Sequence, residues 1–118
     1  MLQELSYVQV ISLNEHWIKK SNFKVLNKLK GFTLADYFAR ENQNRGGSCL
    51  FVKENLNFKV RNNLKDANNE NCFEGSSIEC LESNSIFISI YRVPGTLNGK
   101  LFLEKFEKLL HKLSFEKK

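Results

Sequence analysis

Residues 7–17, with the sequence YVQVISLNEHW, decide the fold that we predict for this chain. The nearly continuous apolar content up to Leu13 is typical of a strand covered on both faces inside an α/β or sandwich core. Asn14, Glu15 and His16 follow at the point where this strand would leave the sheet. Strand ends often carry ligand-binding groups, because the sheet fixes their position while the loop admits a ligand. Glu15 is therefore either a carboxylate placed to hold a hard cation, or simply the first solvated residue after the strand, capping the next helix.

The composition indicates one modest globular domain or a piece of a larger one. The chain has 118 residues, 42% of them hydrophobic, and its ten Phe against one Pro and six Gly favour a packed core. A net charge of +5 favours anionic partners. The three cysteines lack C-x-x-C spacing, which predicts small buried residues in a reducing compartment. No apolar run reaches the roughly 20 residues of a membrane span, and the acidic opening MLQELSY does not resemble a signal peptide, so we expect an intracellular protein without membrane contact.

The rest of the chain is predicted to alternate strands, loops and two helices. Further strands are expected over residues 32–38, 48–53, 56–60, 73–82 and 85–92. Turns at residues 54–55 and 83–84 would join four of them into two β-hairpins, with the strand over residues 85–92 central in its sheet and residues 62–71 forming a surface loop.

Two helices are predicted, over residues 23–30 and 99–114. The lysines around the first helix form either a solvated face or a stripe that binds a nucleic-acid backbone. The second helix has a complete apolar stripe, formed by Phe102, Phe106, Leu109, Leu110 and Leu113.

Four motifs, in this order over residues 8–113, resemble the endonuclease/exonuclease/phosphatase family. They are a strand ending in Glu15-x-Trp17, an Arg45-Gly46-Gly47 that enters LFVK, a strand IFISIYR-x-P and a helix F-x-x-x-F-x-x-L-L-x-x-L. The context is most similar to the endonuclease domain of non-LTR retrotransposon polyproteins, which also carry a reverse transcriptase.

This resemblance implies an α/β (α+β) fold, a four-layer sandwich of mainly antiparallel strands with outer helices. It implies that Glu15 binds Mg²⁺ or Mn²⁺, that Tyr91 acts catalytically at the scissile phosphate of DNA, and that Asn14, Arg45 and Arg92 contact nucleic acid. The implied reaction is phosphodiester hydrolysis in the nucleus. From the residues alone, Tyr91 can also be a tyrosine at a strand end whose hydroxyl is solvated, and Arg92 can be an ordinary surface arginine.

The chain departs from the family pattern in ways that bear on activity. His16 stands where relatives have a small residue, and Gly95 where many have a second proline. The family's first strand and its Gly-Asp-x-Asn and Ser-Asp-His motifs, which orient the attacking water and stabilise the leaving oxygen, do not occur in the sequence.

We therefore expect residues 1–118 to form a single partial domain, an incomplete sandwich that is inactive alone, with DNA bound by the intact parent protein. Half a sandwich would leave one apolar sheet face bare, so self-association is also expected. The alternative is a non-catalytic module that binds nucleic acid or protein.

Overall fold

The computed structural model describes residues 8–20, 29–41 and 45–116. Within these residues the chain forms six strands, a 3₁₀ helix over Asn62–Ala67 and one α-helix. In chain order the elements are β1 (Val10–Asn14), β2 (Phe32–Phe38), β3 (Ser48–Lys53), β4 (Phe58–Val60), β5 (Phe73–Cys80), β6 (Ser85–Arg92) and α1 (Thr96–Ser114). The strands form two small antiparallel sheets, so the chain is an α+β domain, as the general α/β prediction requires.

The two sheets pack face to face through their central strands. The first sheet has the order β1-β3-β2 and the second β4-β5-β6. Leu50 and Val52 of β3 and Ile78 and Cys80 of β5 are buried together between the sheets. The position of β3 and β5 in the middle explains why nearly all of their residues are buried.

Each sheet is also covered on its outer face. The isoleucines of β6 and Phe73 of β5 pack against Phe102, Phe106 and Leu109 of α1. On the outer side of the first sheet, Phe51 and Cys49 pack with apolar residues that include Ile11, Ile18 and Leu29. The expectation of a bare apolar sheet face is therefore wrong.

The two predicted hairpins have different outcomes. β5 and β6 form the second hairpin, as predicted, with Phe73 opposite Arg92 at one end and Cys80 opposite Ser85 at the other. The first hairpin is wrong, because β3 pairs with β1 on one side and β2 on the other and has no free edge for β4. A turn at Asn55, whose φ is 80°, instead sends the chain to the second sheet, where β4 pairs with β5.

Three other predictions need correction. In the part of the chain that the structure describes, β6 is an edge strand and not the central strand that was predicted. β1 is also an edge strand there, and its apolar residues meet two layers, since Val10 lies between the sheets and Ile11 packs on the outer side. The predicted loop over residues 62–71 contains the 3₁₀ helix, which buries Leu64 and Ala67. Helix α1 begins at Thr96, before the predicted start at residue 99. The predicted helix over residues 23–30 lies almost wholly outside the described residues.

Candidate functional site

The ends of β1 and β6 bring Glu15 and Tyr91 together. Glu15 directly follows β1, and Tyr91 is the penultimate residue of β6. The Tyr91 hydroxyl donates a hydrogen bond of 2.7 Å to Oε1 of Glu15, which is solvent-exposed. Two residues that the sequence analysis assigned to one site are thus in direct contact. They meet where the end of β1, in the first sheet, lies beside the end of β6, in the second sheet.

Small polar side chains join β1 to β6 just behind this pair. Ser12 Oγ donates to Ser89 Oγ at 2.6 Å, and Ser89 Oγ donates to Asn14 Oδ1 at 2.8 Å. Asn14 Nδ2 donates to the Ile90 carbonyl at 3.1 Å. Asn14, predicted to contact nucleic acid, therefore has both ends of its amide engaged in holding the two sheets together, through Ser89 and the Ile90 carbonyl.

The backbone around Glu15 is held in an unusual conformation. Glu15 and Trp17 have φ values of 57° and 61°, in the left-handed region that side chains with a Cβ rarely adopt. The Glu15 N–H donates to the Gly47 carbonyl at 2.9 Å, and the Trp17 N–H to the Gly46 carbonyl at 3.2 Å. Because such backbone strain persists only where the surroundings fix it, the glycine pair determines where the Glu15 carboxylate lies.

A buried carboxylate holds the glycine pair in turn. Glu74 is fully buried; its Oε1 accepts a hydrogen bond of 2.7 Å from the Gly47 N–H. Its Oε2 accepts from Arg40 Nε at 2.6 Å and from the Asn71 N–H at 2.9 Å. A Cβ on Gly46 would collide with the Arg40 guanidinium and the Glu74 carboxylate, so the position needs glycine for space as well as for its φ of 65°.

Sequence reasoning missed Glu74 and Arg40. Glu74 lies within a strand, FEGSSIEC, that is buried on both faces, so alternation gave no sign that this acid points inward. The only signal in the sequence was that an acid within a strand, Glu74, occurs together with an arginine a few residues before the Gly-Gly, Arg40. Many unrelated sequences share this combination. These two residues support the site without being part of its surface.

His16 has a structural position. Its Nε2 lies 2.8 Å from the Phe38 carbonyl, which only accepts, and its Nδ1 lies 3.0 Å from the Ile18 N–H, which only donates. The ring is therefore the neutral tautomer with the proton on Nε2. Burial lowers the pKa of His16, which keeps it neutral, and its ring occupies the space that a Cβ on Gly47 would need. His16 is thus a support for the Gly46–Gly47 turn and not a proton acceptor for substrate.

Tyr91 is a hydrogen-bond donor at neutral pH. Burial raises the pKa of Tyr91, and the hydrogen bond to the Glu15 carboxylate, together with its negative charge, raises it further. The hydroxyl therefore keeps its proton and can donate it to an anionic oxygen, whether that of Glu15 or of a ligand.

The two predicted arginines lie in different places. Successive side chains of a strand point to opposite faces, so Arg92 lies on the α1 side, with its guanidinium 5.9 Å from the centre of the Phe102 ring. Arg45 lies on the Glu15 side, next to Gly46, with its guanidinium 5.1 Å from the centre of the Trp17 ring. The structure thus brings Arg45, but not Arg92, to the surface that carries the Glu15 segment.

The donor set fits a weakly held hard cation. Among the described residues there is no cluster of three or more His, Cys, Asp and Glu side chains that could enclose a metal ion. Mg²⁺ is commonly bound by one or two carboxylates, with water and phosphate oxygens completing its octahedron. The exposed Glu15 carboxylate can supply one such ligand, so the fit is to a metal shared with a phosphate group.

The predicted character of the cysteines agrees with the structure, since Cys49, Cys72 and Cys80 are all buried free thiols. No helix in the described part of the chain has the length and apolar character needed to cross a membrane. Comparison of the chain with protein-family models, with curated proteins and with solved structures gives no match.

Proposed function

We propose that this chain carries the metal-binding and phosphate-contacting part of a Mg²⁺-dependent phosphodiesterase of the endonuclease/exonuclease/phosphatase family, acting on DNA as part of a nuclear, retrotransposon-type polyprotein. The observation that carries the proposal is the contact of 2.7 Å between the Tyr91 hydroxyl and the Glu15 carboxylate. The two residues are 76 positions apart and were assigned to one site from sequence motifs alone. A chance resemblance of short motifs would not require them to meet.

The architecture supports the same proposal. Two antiparallel sheets lie face to face, and α1 covers the outer face of the second sheet. The family fold is a sandwich of this kind with its site at one end of the sheets. We propose that the two three-stranded sheets correspond to part of that four-layer sandwich, with β1 and β6 delivering the site residues.

The proposal assigns a role to each residue of the site. Glu15 would hold Mg²⁺ or Mn²⁺, and the metal supplies charge that polarises the phosphate. The Tyr91 hydroxyl, which donates to Glu15 in this structure, would be available to donate to a phosphate oxygen if Glu15 held the metal instead. Arg45, which directly precedes Gly46, would contact a neighbouring phosphate.

Neither His16 nor His111 is placed to act as a base for the attacking water beside this pair. Both ring nitrogens of His16 are engaged, and His111 lies on α1 with its ring against Phe115. We therefore propose that DNA cleavage needs the Asp-x-Asn and Asp-His groups of the intact parent protein, and that the chain alone binds metal and DNA without cutting.

One observation favours the second candidate, a non-catalytic module that binds nucleic acid or protein. Lys105, Lys108 and Lys112 of α1 line a cavity of about 190 Å³ together with Leu64, Asp66 and Ala67 of the 3₁₀ helix. Lys112 Nζ lies 2.9 Å from Asp66 Oδ2, so this one acid offsets part of the positive charge around the cavity. A cationic surface of this kind suits an anionic partner without any metal. In that case the Glu15–Tyr91 contact would only join the two sheets.

Manganese binding separates the two candidates. Free Mn²⁺ is measured by electron paramagnetic resonance in the presence of the chain, with and without a short duplex oligonucleotide. The phosphodiesterase proposal predicts weak binding that the duplex strengthens and that Glu15→Gln abolishes, while Glu104→Gln, an exposed glutamate on α1, behaves as wild type. Binding of DNA with equal Mn²⁺ affinity in Glu15→Gln and Glu104→Gln would favour the non-catalytic module. Nicking of a plasmid that is lost in Glu15→Gln would show that the chain alone is a complete enzyme.

A further inference from the structure

Trp17 is the single tryptophan of the chain, and the proposed function gives it no role. Its side chain is 53% exposed, although a large aromatic group normally stabilises a fold by being buried. It lies two residues after Glu15, and its backbone φ of 61° is unfavourable for a residue with a bulky side chain. A bulky ring that is held in solvent by a strained backbone is typical of a binding residue.

Arg45 completes a stacked pair with this ring. Its guanidinium lies 5.1 Å from the centre of the Trp17 ring, within the range of a cation–π contact. Arg45 is itself exposed, so the pair places a cationic group beside an aromatic group on the surface. Arginine stacks on aromatic rings and also binds phosphate through its planar fork of donors.

The backbone under this pair is fixed. The Trp17 N–H donates to the carbonyl of Gly46, the residue after Arg45, at 3.2 Å. Gly47 is anchored by the buried Glu74 carboxylate, and His16, between Glu15 and Trp17, is bonded through both ring nitrogens. The two side chains therefore project from a preorganised turn, which reduces the entropy lost when a ligand binds.

The chemistry of the patch selects one class of ligand. An exposed indole offers a π face that any nucleobase can stack on, and a guanidinium beside it suits the phosphate of the same nucleotide. We propose that Trp17 stacks on one unpaired nucleobase of a single-stranded or locally opened DNA, while Arg45 contacts the adjoining phosphate. The placement of this nucleotide next to the cleaved phosphate rests on the proposed function, whereas the stacking itself does not.

Tryptophan fluorescence tests the stacking directly, because the single indole reports on its own site. The full chain is titrated with a short oligothymidylate and, separately, with an abasic oligomer of equal length and charge, in Ca²⁺ to prevent cleavage. We expect saturable quenching with the oligothymidylate and little with the abasic strand. Equal quenching by both strands, or none by either, would overturn the proposal.

Labelled-strand anisotropy gives the second measurement. Trp17→Leu should weaken binding of the oligothymidylate by about 5- to 150-fold, the range expected for loss of one base–aromatic stack, and leave abasic-strand binding unchanged. The affinity of Trp17→Phe for the oligothymidylate should lie between those of Trp17→Leu and the wild type. Arg45→Gln should weaken the binding of both strands. Phe115→Leu, which alters an exposed aromatic residue beyond α1, is the matched control. Wild-type affinity in a folded Trp17→Leu chain would contradict the proposal.

The outcomes distinguish this inference from the proposed function. If Glu15→Gln leaves Mn²⁺ binding unchanged while the oligothymidylate still quenches Trp17, the metal-dependent function fails and the stacking stands. If Mn²⁺ binding depends on Glu15 and the fluorescence does not respond to the base, the stacking fails and the function stands.

Discussion

The Tyr91 hydroxyl and the Glu15 carboxylate form a hydrogen bond of 2.7 Å between the edge strand of one sheet and the loop that leaves the edge strand of the other. The donor and the acceptor satisfy each other as long as no ligand is bound. Under the proposed function, a cation on Glu15 would compete for the same carboxylate and free the hydroxyl, so we expect metal and phosphate binding to be coupled through this one bond. Either ligand alone would gain less than both together.

Tyr91→Phe tests this coupling. The substitution removes the hydroxyl but leaves the Glu15 carboxylate, so Mn²⁺ binding by the chain alone should be retained or slightly strengthened. The gain in Mn²⁺ affinity that a duplex oligonucleotide causes should fall several-fold. The reason is that the phosphate loses one hydrogen bond, which contributes about 1 kcal/mol to binding. Electron paramagnetic resonance with and without the duplex measures both quantities.

The control for this variant is Tyr37→Phe, which removes a hydroxyl from a tyrosine of β2 in the first sheet. It should leave both Mn²⁺ measurements at wild-type values. An undiminished effect of the duplex in Tyr91→Phe would show that the phenol does not contact the phosphate.

Local patterns were sufficient to predict much of this fold. The strand Ser48–Lys53, the hairpin from Phe73 to Arg92 and the apolar stripe of α1 each follow from residues close in sequence. The pairing of β3 was not predictable in this way, because a strand beside a turn is compatible with either a hairpin or a crossing to another sheet. Only the competition of β1 and β2 for both edges of β3 decides between them.

The candidate site was predictable only in part. Glu15 and Tyr91 were found because each ends an apolar strand, and because the motif order implied that the two strand ends meet. Glu74 and Arg40 were not found, because their roles depend on burial between β5 and the Gly46–Gly47 turn, which no local pattern shows. Arg92 was placed beside Tyr91 by its position in sequence, but the alternation of a strand puts it on the opposite face.

Glu74→Gln is expected to destabilise the chain strongly. Arg40, which is also buried, would keep its charge and lose the carboxylate that accepts its Nε–H, and loss of one partner from a buried ion pair costs about 3–5 kcal/mol. Urea unfolding measures this change. Replacing both partners, in Glu74→Gln with Arg40→Met, should cost less than the sum of the single changes. Additive effects would show that the two side chains do not interact, and Glu104→Gln should stay within about 0.5 kcal/mol of wild type.

Gly47→Ala and Gly31→Ala separate backbone strain from steric collision. Both glycines have strongly positive φ, 93° and 89°, so each alanine is strained by about 1–3 kcal/mol. A Cβ on Gly31 meets no atom of the described residues within 4 Å, whereas one on Gly47 runs into the His16 ring. Gly47→Ala should therefore lower the free energy of unfolding more than Gly31→Ala, and combining it with His16→Ala should recover part of the loss. Equal losses in the two single variants would place the His16 ring elsewhere.

Cys49 should be unreactive in the folded chain. Burial raises the pKa of the Cys49 thiol to about 11, so almost no thiolate is present near pH 8. Labelling by a thiol reagent should be slow until denaturant unfolds the chain. In the unfolded chain the thiol loses its proton near its ordinary pKa, so stability should be constant below that value and fall as the pH rises toward 11. Cys49→Ala should make this decline shallower, and rapid labelling of native Cys49 would contradict the burial.

Self-association is still expected, but through strand edges rather than through a bare sheet face. Within the described residues β1 pairs only with β3 and β6 only with β5, and each carries an exposed apolar side chain, Leu13 and Phe87. Open edges with apolar side chains favour pairing with another chain, and a lysine there opposes it. Sedimentation velocity should show concentration-dependent association of the wild type that Leu13→Lys with Phe87→Lys shifts toward monomer. Leu103→Lys, on the exposed face of α1, should not have this effect. A wild type that remains monomeric at every concentration would show that these edges are already protected.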